Sequence, residues 1–222
     1  MRRLVTLFAV FIGFSSFGQD RGEFWFAAGV KREVAKNIVA GASSNLRVSY
    51  TGQLRTLYQE LSVKSEHLDW FRPSIEYRLI TSYDERGNYM NSNRLNINLD
   101  FRHKIEDMKL GTRLRYQMNL GSAGGGGGDL DPSYRFKPYF SYEPKDWKVT
   151  PEISAEWFYT TTNSPTGNRF NRFRGGLTAN INLPGSNSLG ITYYYGRKFN
   201  TGNPYSEHLL SLEYGFEWKK KK

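Results

Sequence analysis

The chain has 222 residues, a formal net charge of +10 and no cysteine. This length suits one domain with a sizeable interior, and the absence of cysteine excludes disulfide and thiolate-metal frameworks. The positive charge is compatible with nucleic acid, with phosphates of lipid or lipopolysaccharide and with acidic ligands, and it does not choose among them.

The first residues have the layout of a secretory signal peptide. Arg2 and Arg3 precede an apolar run from Leu4 to Phe17, and the small residue Gly18 follows. This run is shorter than the roughly twenty residues that a helix needs to cross a bilayer, so cleavage is favoured over a retained anchor. We therefore predict a cleaved signal peptide over residues 1–18 and one exported domain over residues 19–222. Export argues against nucleic acid as a partner.

The exported domain alternates apolar and polar residues with the period of two that is typical of β-strands. The clearest example runs from Arg94 to Arg102, where odd positions are apolar and even positions are polar or charged. The predicted strands are 24–30, 38–48, 57–63, 71–79, 94–102, 108–120, 136–142, 149–159, 173–183, 189–195 and 210–218. They predict an all-β fold, a single antiparallel up-and-down transmembrane β-barrel of about 10–12 strands.

Eleven segments is an odd number, whereas single-chain bacterial barrels carry even numbers of strands. We therefore expect one missed or divided strand, near Gln19–Glu23 or Ser49–Tyr58. Pro73, Pro138 and Pro151 also fall inside strand patterns, and their positions near strand ends are expected to make them tolerable.

The connections alternate between short polar turns and longer Gly-, Asn- and Ser-rich segments. Short turns are predicted at 35–37, 67–69, 106–107, 144–146 and 184–188, and long loops at 49–56, 82–93, 121–133, 160–168 and 201–206. Strict alternation places all short turns at one end of the barrel. In outer-membrane barrels that end is periplasmic, and the long loops face outward.

Alternation leaves open which side of the wall is apolar, since a soluble lipocalin-like barrel alternates too. Charges of both signs on the polar faces favour a hydrated lumen, and aromatic residues near both ends of the strands favour two membrane interfaces. The predicted lumen charge ladder comprises Arg94, Asp100, Arg102, Arg113, Arg115, Glu152, Glu156, Arg172, Arg174 and Glu213. The predicted interfacial aromatic girdle comprises Trp70, Trp147, Trp218, Tyr83, Tyr134 and Tyr159.

The last strand, 210–218, has an apolar or aromatic residue at every second position, as the last strands of bacterial barrels commonly do. The lysines of 219–222 that follow it are interpreted as a solvated tail.

Four segments resemble a family of small outer-membrane β-barrel proteins known only as domain of unknown function 2490. They are the signal peptide, Phe24-Trp25-Phe26 with the charged turn through Lys31, Arg32 and Glu33, the segment Arg172–Gly175, and Tyr214–Phe216. The resemblance covers nearly all of the exported domain. It implies a barrel in the outer membrane and supplies no activity.

We find no motif that predicts a catalytic, cofactor-binding or metal site, and we expect no cofactor. Phospholipase and deacylase barrels place base and nucleophile two residues apart on one strand, and no His-x-Ser occurs here. His103 and His208 are in phase with apolar residues, which predicts structural positions near an interface, and His67 and Asp69 flank a tight turn. The run Gly124–Gly128 with Asp129 and Asp131 is interpreted as an external loop, because a phosphate loop needs a following Gly-Lys-Ser/Thr and a helix.

Our first hypothesis is a non-enzymatic, porin-like barrel of the Gram-negative outer membrane that serves as a small pore or an envelope scaffold. Its expected partners are outer-membrane lipid, lipopolysaccharide and the envelope assembly machinery. The ladder charges would either fill the lumen as ion pairs or attract anions into a pore. The alternatives are a lipid-modifying hydrolase or acyltransferase of the outer membrane, and a soluble exported lipocalin-like barrel that binds an apolar ligand.

Overall fold

A computed structural model of the chain describes residues 21–83, 87–122, 133–160, 169–200 and 204–218. The predicted signal peptide, the glycine run with Asp129 and Asp131, and the lysines of 219–222 lie outside the described residues. Within these ranges no helix is long and apolar enough to cross a membrane.

The described residues form eleven β-strands that close into one barrel. The strands are β1 (Arg21–Ala35), β2 (Ile38–Ser49), β3 (Leu54–Ser65), β4 (Phe71–Tyr83), β5 (Tyr89–Ile105), β6 (Met108–Ser122), β7 (Ser133–Tyr142), β8 (Val149–Thr160), β9 (Arg169–Leu183), β10 (Asn187–Lys198) and β11 (Tyr205–Trp218). All eleven predicted segments are therefore confirmed as strands, and most extend beyond the predicted bounds.

Alternation turns the apolar residues outward and the polar residues inward. On β5, Ile97 and Leu99 are 37% and 36% exposed, whereas Asn96 and Asn98 are 0% and 2% exposed. Successive side chains of a strand point to opposite faces, so this contrast sets the sidedness of the whole strand. The interior of the barrel is consequently polar.

The barrel closes through a parallel pair, which the sequence did not predict. Consecutive strands pair antiparallel, but β1 and β11 run in the same direction, from Arg21 opposite Glu207 to Arg32 opposite Trp218. In a meander with an odd number of strands, the first and last strands point the same way, so their closing pair must be parallel. The expectation of an even strand number, with one strand missed or divided, was wrong.

The connections fall at two ends of the barrel. The three shortest, 36–37, 106–107 and 184–186, lie at one end, here called the turn end. The two longest intervals, 123–132 and 161–168, lie at the other, the loop end. The predicted strict alternation was wrong at 50–53 and at 84–88, which are both shorter than 143–148. The reason is that β3 begins at Leu54 and β5 at Tyr89, so these strands take residues assigned to the loops.

The three prolines occupy different positions within their strands. Pro73 and Pro151 each stand third in their strand, near the ends of β4 and β8. Pro138 lies in the middle of β7, and its pairing with β8 is interrupted between Phe136 and Tyr139. The expectation that all three prolines lie near strand ends was therefore wrong for Pro138, and the missing N–H accompanies a local gap in the ladder.

Candidate functional site

Charged side chains cover the inner face of the barrel wall. Arg115 and Glu156 are each 5% exposed. The structure places every member of the predicted charge ladder on this face: Arg94, Asp100, Arg102, Arg113, Arg115, Glu152, Glu156, Arg172, Arg174 and Glu213.

Three carboxylates organise these charges, and each contacts two arginines. The first centre is Glu156 on β8, which lies 3.1 Å from Arg113 Nη2 and 3.7 Å from Arg174 Nη1. The second is Glu207 on β11, which accepts from Arg172 Nε at 2.9 Å and lies 3.8 Å from Arg174. These contacts tie β6, β8, β9 and β11 together through the lumen.

The third centre is Glu76 on β4. It lies 2.8 Å from Arg115 Nη2 and 3.3 Å from Arg78 Nη2. The amides of Asn96 and Asn98 donate to the same carboxylate at 3.1 and 2.8 Å. Because the carboxylate is satisfied on both oxygens, its charge is tolerated in this buried position.

A central cavity of about 500 Å³ lies between these centres, and ten of the eleven strands contribute to its lining. Its cationic lining residues are Arg47, Arg78, Arg113, Arg115, Arg135, Lys137 and Arg174. Its acidic lining residues are Glu60, Glu76, Glu156 and Glu213. Cations outnumber carboxylates, so the cavity is electropositive.

Small residues form one wall of this cavity. They are Ala27 and Gly29 on β1, Ser43 on β2, Gly190 on β10 and Gly215 on β11. The long cationic side chains of β6 and β7 also line it, from the other part of the wall. The cavity exists because short side chains on one arc of the barrel leave room that the arginines do not fill.

A second, smaller cavity of about 200 Å³ adjoins the central cavity. Arg113 and Lys137 line both cavities. The smaller one is completed by Asp100, Arg102, Lys109, Tyr139 and Glu152. Lys109 is the second residue of β6, close to the 106–107 turn, so this cavity extends the polar lumen toward the turn end.

The structure does not bring the whole predicted ladder to one place. Arg113, Arg115, Glu156, Arg174 and Glu213 line the central cavity. Asp100, Arg102 and Glu152 belong to the smaller cavity. Arg172 is held by Glu207, and Arg94 donates to Asn119 at 2.8 Å.

Several lumen residues were missing from the predicted ladder. Glu76 and Arg78 alternate with the apolar residues Ile75, Tyr77 and Leu79 of the predicted strand 71–79 and so fall on its polar face, which means that alternation could have identified them. Glu207 was missed because the last strand was predicted to begin at 210, whereas β11 begins at Tyr205. Trp25 lies between two phenylalanines, so alternation does not distinguish its face from theirs. In the structure it lines the cavity, while Phe24 and Phe26 are exposed.

The predicted aromatic girdle divides between the two ends of the barrel. Trp70, Trp147 and Trp218 are 57%, 58% and 56% exposed and lie at the turn end. Tyr83 and Tyr134 lie at the loop-end termini of β4 and β7, and Tyr159 precedes the last residue of β8.

The histidines lie away from the lumen cavities. His103 is exposed on the outer face of β5, and His208 Nδ1 lies 2.7 Å from the hydroxyl of Tyr193. Ser65 Oγ contacts His67 Nδ1 at 3.0 Å in an exposed position where β3 ends. No carboxylate contacts His67 among the residues the structure describes. The described ranges also contain no group of three or more side chains that could hold a metal ion.

Comparison with known families gives one match. The profile of a family described as "Protein of unknown function (DUF2490)" matches residues 22–207, which is almost the whole barrel. The chain belongs to this family. Its members thus share the region that includes β1 to β10, together with the start of β11. A search of curated proteins finds no match.

Proposed function

We propose that this chain is a non-enzymatic transmembrane β-barrel of the Gram-negative outer membrane, with a narrow polar lumen. One observation carries the proposal. The barrel wall is apolar on its outside and charged on its inside, the reverse of a soluble barrel. Only a hydrocarbon surrounding makes this arrangement favourable, since apolar surface is stabilised by leaving water.

The exposed apolar surface favours this proposal over a soluble lipocalin-like barrel. Leu110, Ile153 and Leu177 are 50%, 55% and 45% exposed on β6, β8 and β9. Soluble monomers rarely expose contiguous apolar patches above roughly 300–600 Å². A lipocalin-like carrier also needs an apolar interior, and the central cavity has charged lining instead.

Strand length and aromatic placement support the same proposal. The shortest described strand, β7, has 10 residues, and about 9–11 residues suffice for a tilted strand to span a bilayer. Tryptophans at the turn end and tyrosines at the loop end match the two interfacial belts of membrane barrels. Lipid and lipopolysaccharide are then the partners of the outer face, and insertion would depend on the envelope assembly machinery.

The dimensions of the lumen favour a scaffold or a restrictive pore over a wide channel. Barrels of about 8 strands are filled by side chains, while those of about 16–18 leave an aqueous channel. Eleven strands with three carboxylate-arginine centres lie near the filled limit. The carboxylates of these three centres are held in ion pairs, a structural role that needs no reaction.

Fractionation tests the proposal. The full chain is expressed in a Gram-negative host, and the envelope is washed with carbonate and separated into inner and outer membranes. We expect the chain in the outer-membrane fraction, with faster migration on detergent gels before boiling than after, as a closed barrel gives. Recovery in the aqueous wash would overturn the membrane assignment in favour of the soluble barrel.

A second measurement tests the proposal that the barrel is not an enzyme. The purified barrel is incubated with phospholipid and with lipopolysaccharide, and the lipids are then examined by mass spectrometry. We expect unchanged lipids. Product that is lost in a Ser65→Ala variant would establish a hydrolase or acyltransferase instead.

A further inference from the structure

The central cavity has buried cationic donors that the protein itself leaves unused. The Nε atoms of Arg47, Arg113, Arg135 and Arg174 are buried and have no hydrogen-bond partner in the described part of the chain. All four residues line the central cavity, from four different strands. Buried donors are nearly always satisfied, and donors on charged groups bind most strongly to anionic oxygen.

Two of these arginines also have no carboxylate within ion-pair distance among the described residues. Arg47 lies 4.1 Å from the ring of Trp25 and 5.3 Å from that of Tyr58. Arg135 lies 4.5 Å from the ring of Phe158 and donates to Gln117 Oε1. Neither forms an ion pair within the described ranges. Aromatic faces hold a guanidinium in place without cancelling its charge.

The charge balance and the volume of the cavity also favour a small anionic ligand. Seven cationic and four acidic side chains line it. Its volume of about 500 Å³ falls within the range of roughly 300–1,000 Å³ that is typical of small-ligand sites. The small residues of β1, β2, β10 and β11 keep this space open. A lumen that served packing alone would be filled from that side as well.

We propose that the central cavity is a binding site for a small oxyanion, a phosphate or a carboxylate, held by Arg47 and Arg135 with help from Arg113 and Arg174. The site deepens the proposed function, on which it rests for the view that the polar lumen is the working compartment of the barrel. The smaller cavity, which shares Arg113 and Lys137, gives the anion an approach from the turn end.

Isothermal titration of the full chain in an uncharged detergent tests this site. Inorganic phosphate and succinate are the probes, at constant ionic strength set with chloride, and no lipid phosphate is present to compete. We expect saturable binding of at least one probe. Arg47→Gln should weaken that binding roughly tenfold or more, since one charge-assisted hydrogen bond is lost. Saturable binding of neither probe would overturn the proposal.

Two further variants separate a lumen site from general surface charge. Arg32→Gln removes an outward-facing charge that lies 5.1 Å from the ring of Trp218, and it should leave binding unchanged. Gly190→Leu keeps the charge but projects into the cavity, and a Cβ there meets no atom closer than 3.5 Å. It should abolish binding while the unboiled protein still migrates as a closed barrel. Equal binding by the Gly190→Leu barrel, or equal weakening by Arg32→Gln, would contradict the site.

The test is independent of the membrane assignment because it uses detergent-purified protein. If the chain is recovered in the outer membrane but binds neither probe, the anion site is refuted and the proposed function stands. If the chain stays in the aqueous wash yet binds phosphate, the proposed function is refuted and the anion site stands.

Discussion

Glu156 illustrates how single residues hold charge inside this barrel. Its side chain is 6% exposed and lies between Arg113 on β6 and Arg174 on β9. A carboxylate buried in this way contributes little net stability, but its removal leaves Arg113 without its ion pair and leaves Arg174 with only the 3.8 Å contact to Glu207. The stability of the barrel is therefore expected to be sensitive to replacement of Glu156.

We expect Glu156→Gln to lower the free energy of unfolding by about 3–5 kcal/mol, as for other broken buried ion pairs. Urea unfolding of the barrel in lipid vesicles measures this change. Glu217→Gln is the matched control, because its pair with Lys31 is roughly half exposed and should change stability by only about 0–1 kcal/mol. Similar losses for the two variants would mean that the lumen is as well hydrated as the rim.

At the scale of elements, the parallel seam between β1 and β11 is the unusual feature of the fold. Cysteine pairs can test it, since the chain has no cysteine of its own. Ala28 is the register partner of Tyr214, whereas Leu210 is the partner of Phe24. Oxidation should cross-link Ala28→Cys with Tyr214→Cys, and a gel without reductant detects the product.

The control pair combines Ala28→Cys with Leu210→Cys. Four residues along a strand span about 13 Å, and disulfides require Cα atoms within about 7 Å. We therefore expect no cross-link for the control. A control that cross-links better than the test pair would show that the seam has a different register.

The short turns contain carboxylates whose charge depends on their neighbours. Glu66 lies between Lys64 and Arg72, at 2.5 and 3.1 Å. Partial burial acts to raise the pKa of Glu66, but the hydrogen bond from Lys64 and the two positive charges outweigh it and lower the pKa. Glu143 behaves likewise, since Lys109 and Lys104 outweigh burial and lower its pKa.

Acid should therefore destabilise these turns. A carboxyl with a lowered pKa in the folded state contributes stability above its unfolded pKa, near 4.5, and loses it as the pH falls through the folded value. We expect the urea midpoint of the native chain to fall more between pH 7 and pH 3 than that of Glu66→Gln/Glu143→Gln. Glu106→Gln, in the turn between β5 and β6, is the control for replacing a turn carboxylate that forms no ion pair among the described residues. If the urea midpoint of the double variant falls as much as that of the native chain, these two turns do not account for the loss of stability in acid.

At the scale of the whole molecule, the outer surface decides what surrounds the barrel. Leu114 points outward from β6, is 41% exposed and pairs with Leu99 and Phe136 on its neighbours. Leu68 is 45% exposed but lies in a short turn. Similar exposure with different surroundings makes these two leucines a matched pair.

If lipid surrounds the strands, Leu114→Arg should cost about 2–4 kcal/mol of unfolding free energy in vesicles, and Leu68→Arg about 0–1 kcal/mol. Urea unfolding in vesicles of uncharged lipid measures both. Two small and equal effects would indicate that water covers β6 as well as the turn.

The period of two in the sequence determined the eleven strands, the all-β class and the two faces of each strand. It succeeds because side-chain direction in a strand is a local property of the backbone. The ends of strands were predicted less well, as at Leu54 and Tyr205, since pairing with neighbouring strands extends them beyond the alternating core.

Only the tertiary structure decided how the barrel closes and which charges meet. The parallel seam joins strands from opposite ends of the chain, and Arg113 and Glu156 are 43 residues apart. Such partners depend on strand register and on closure, which no local pattern encodes. The central cavity has the same origin, because it requires small residues on one arc of the wall and arginines on another to share one lumen.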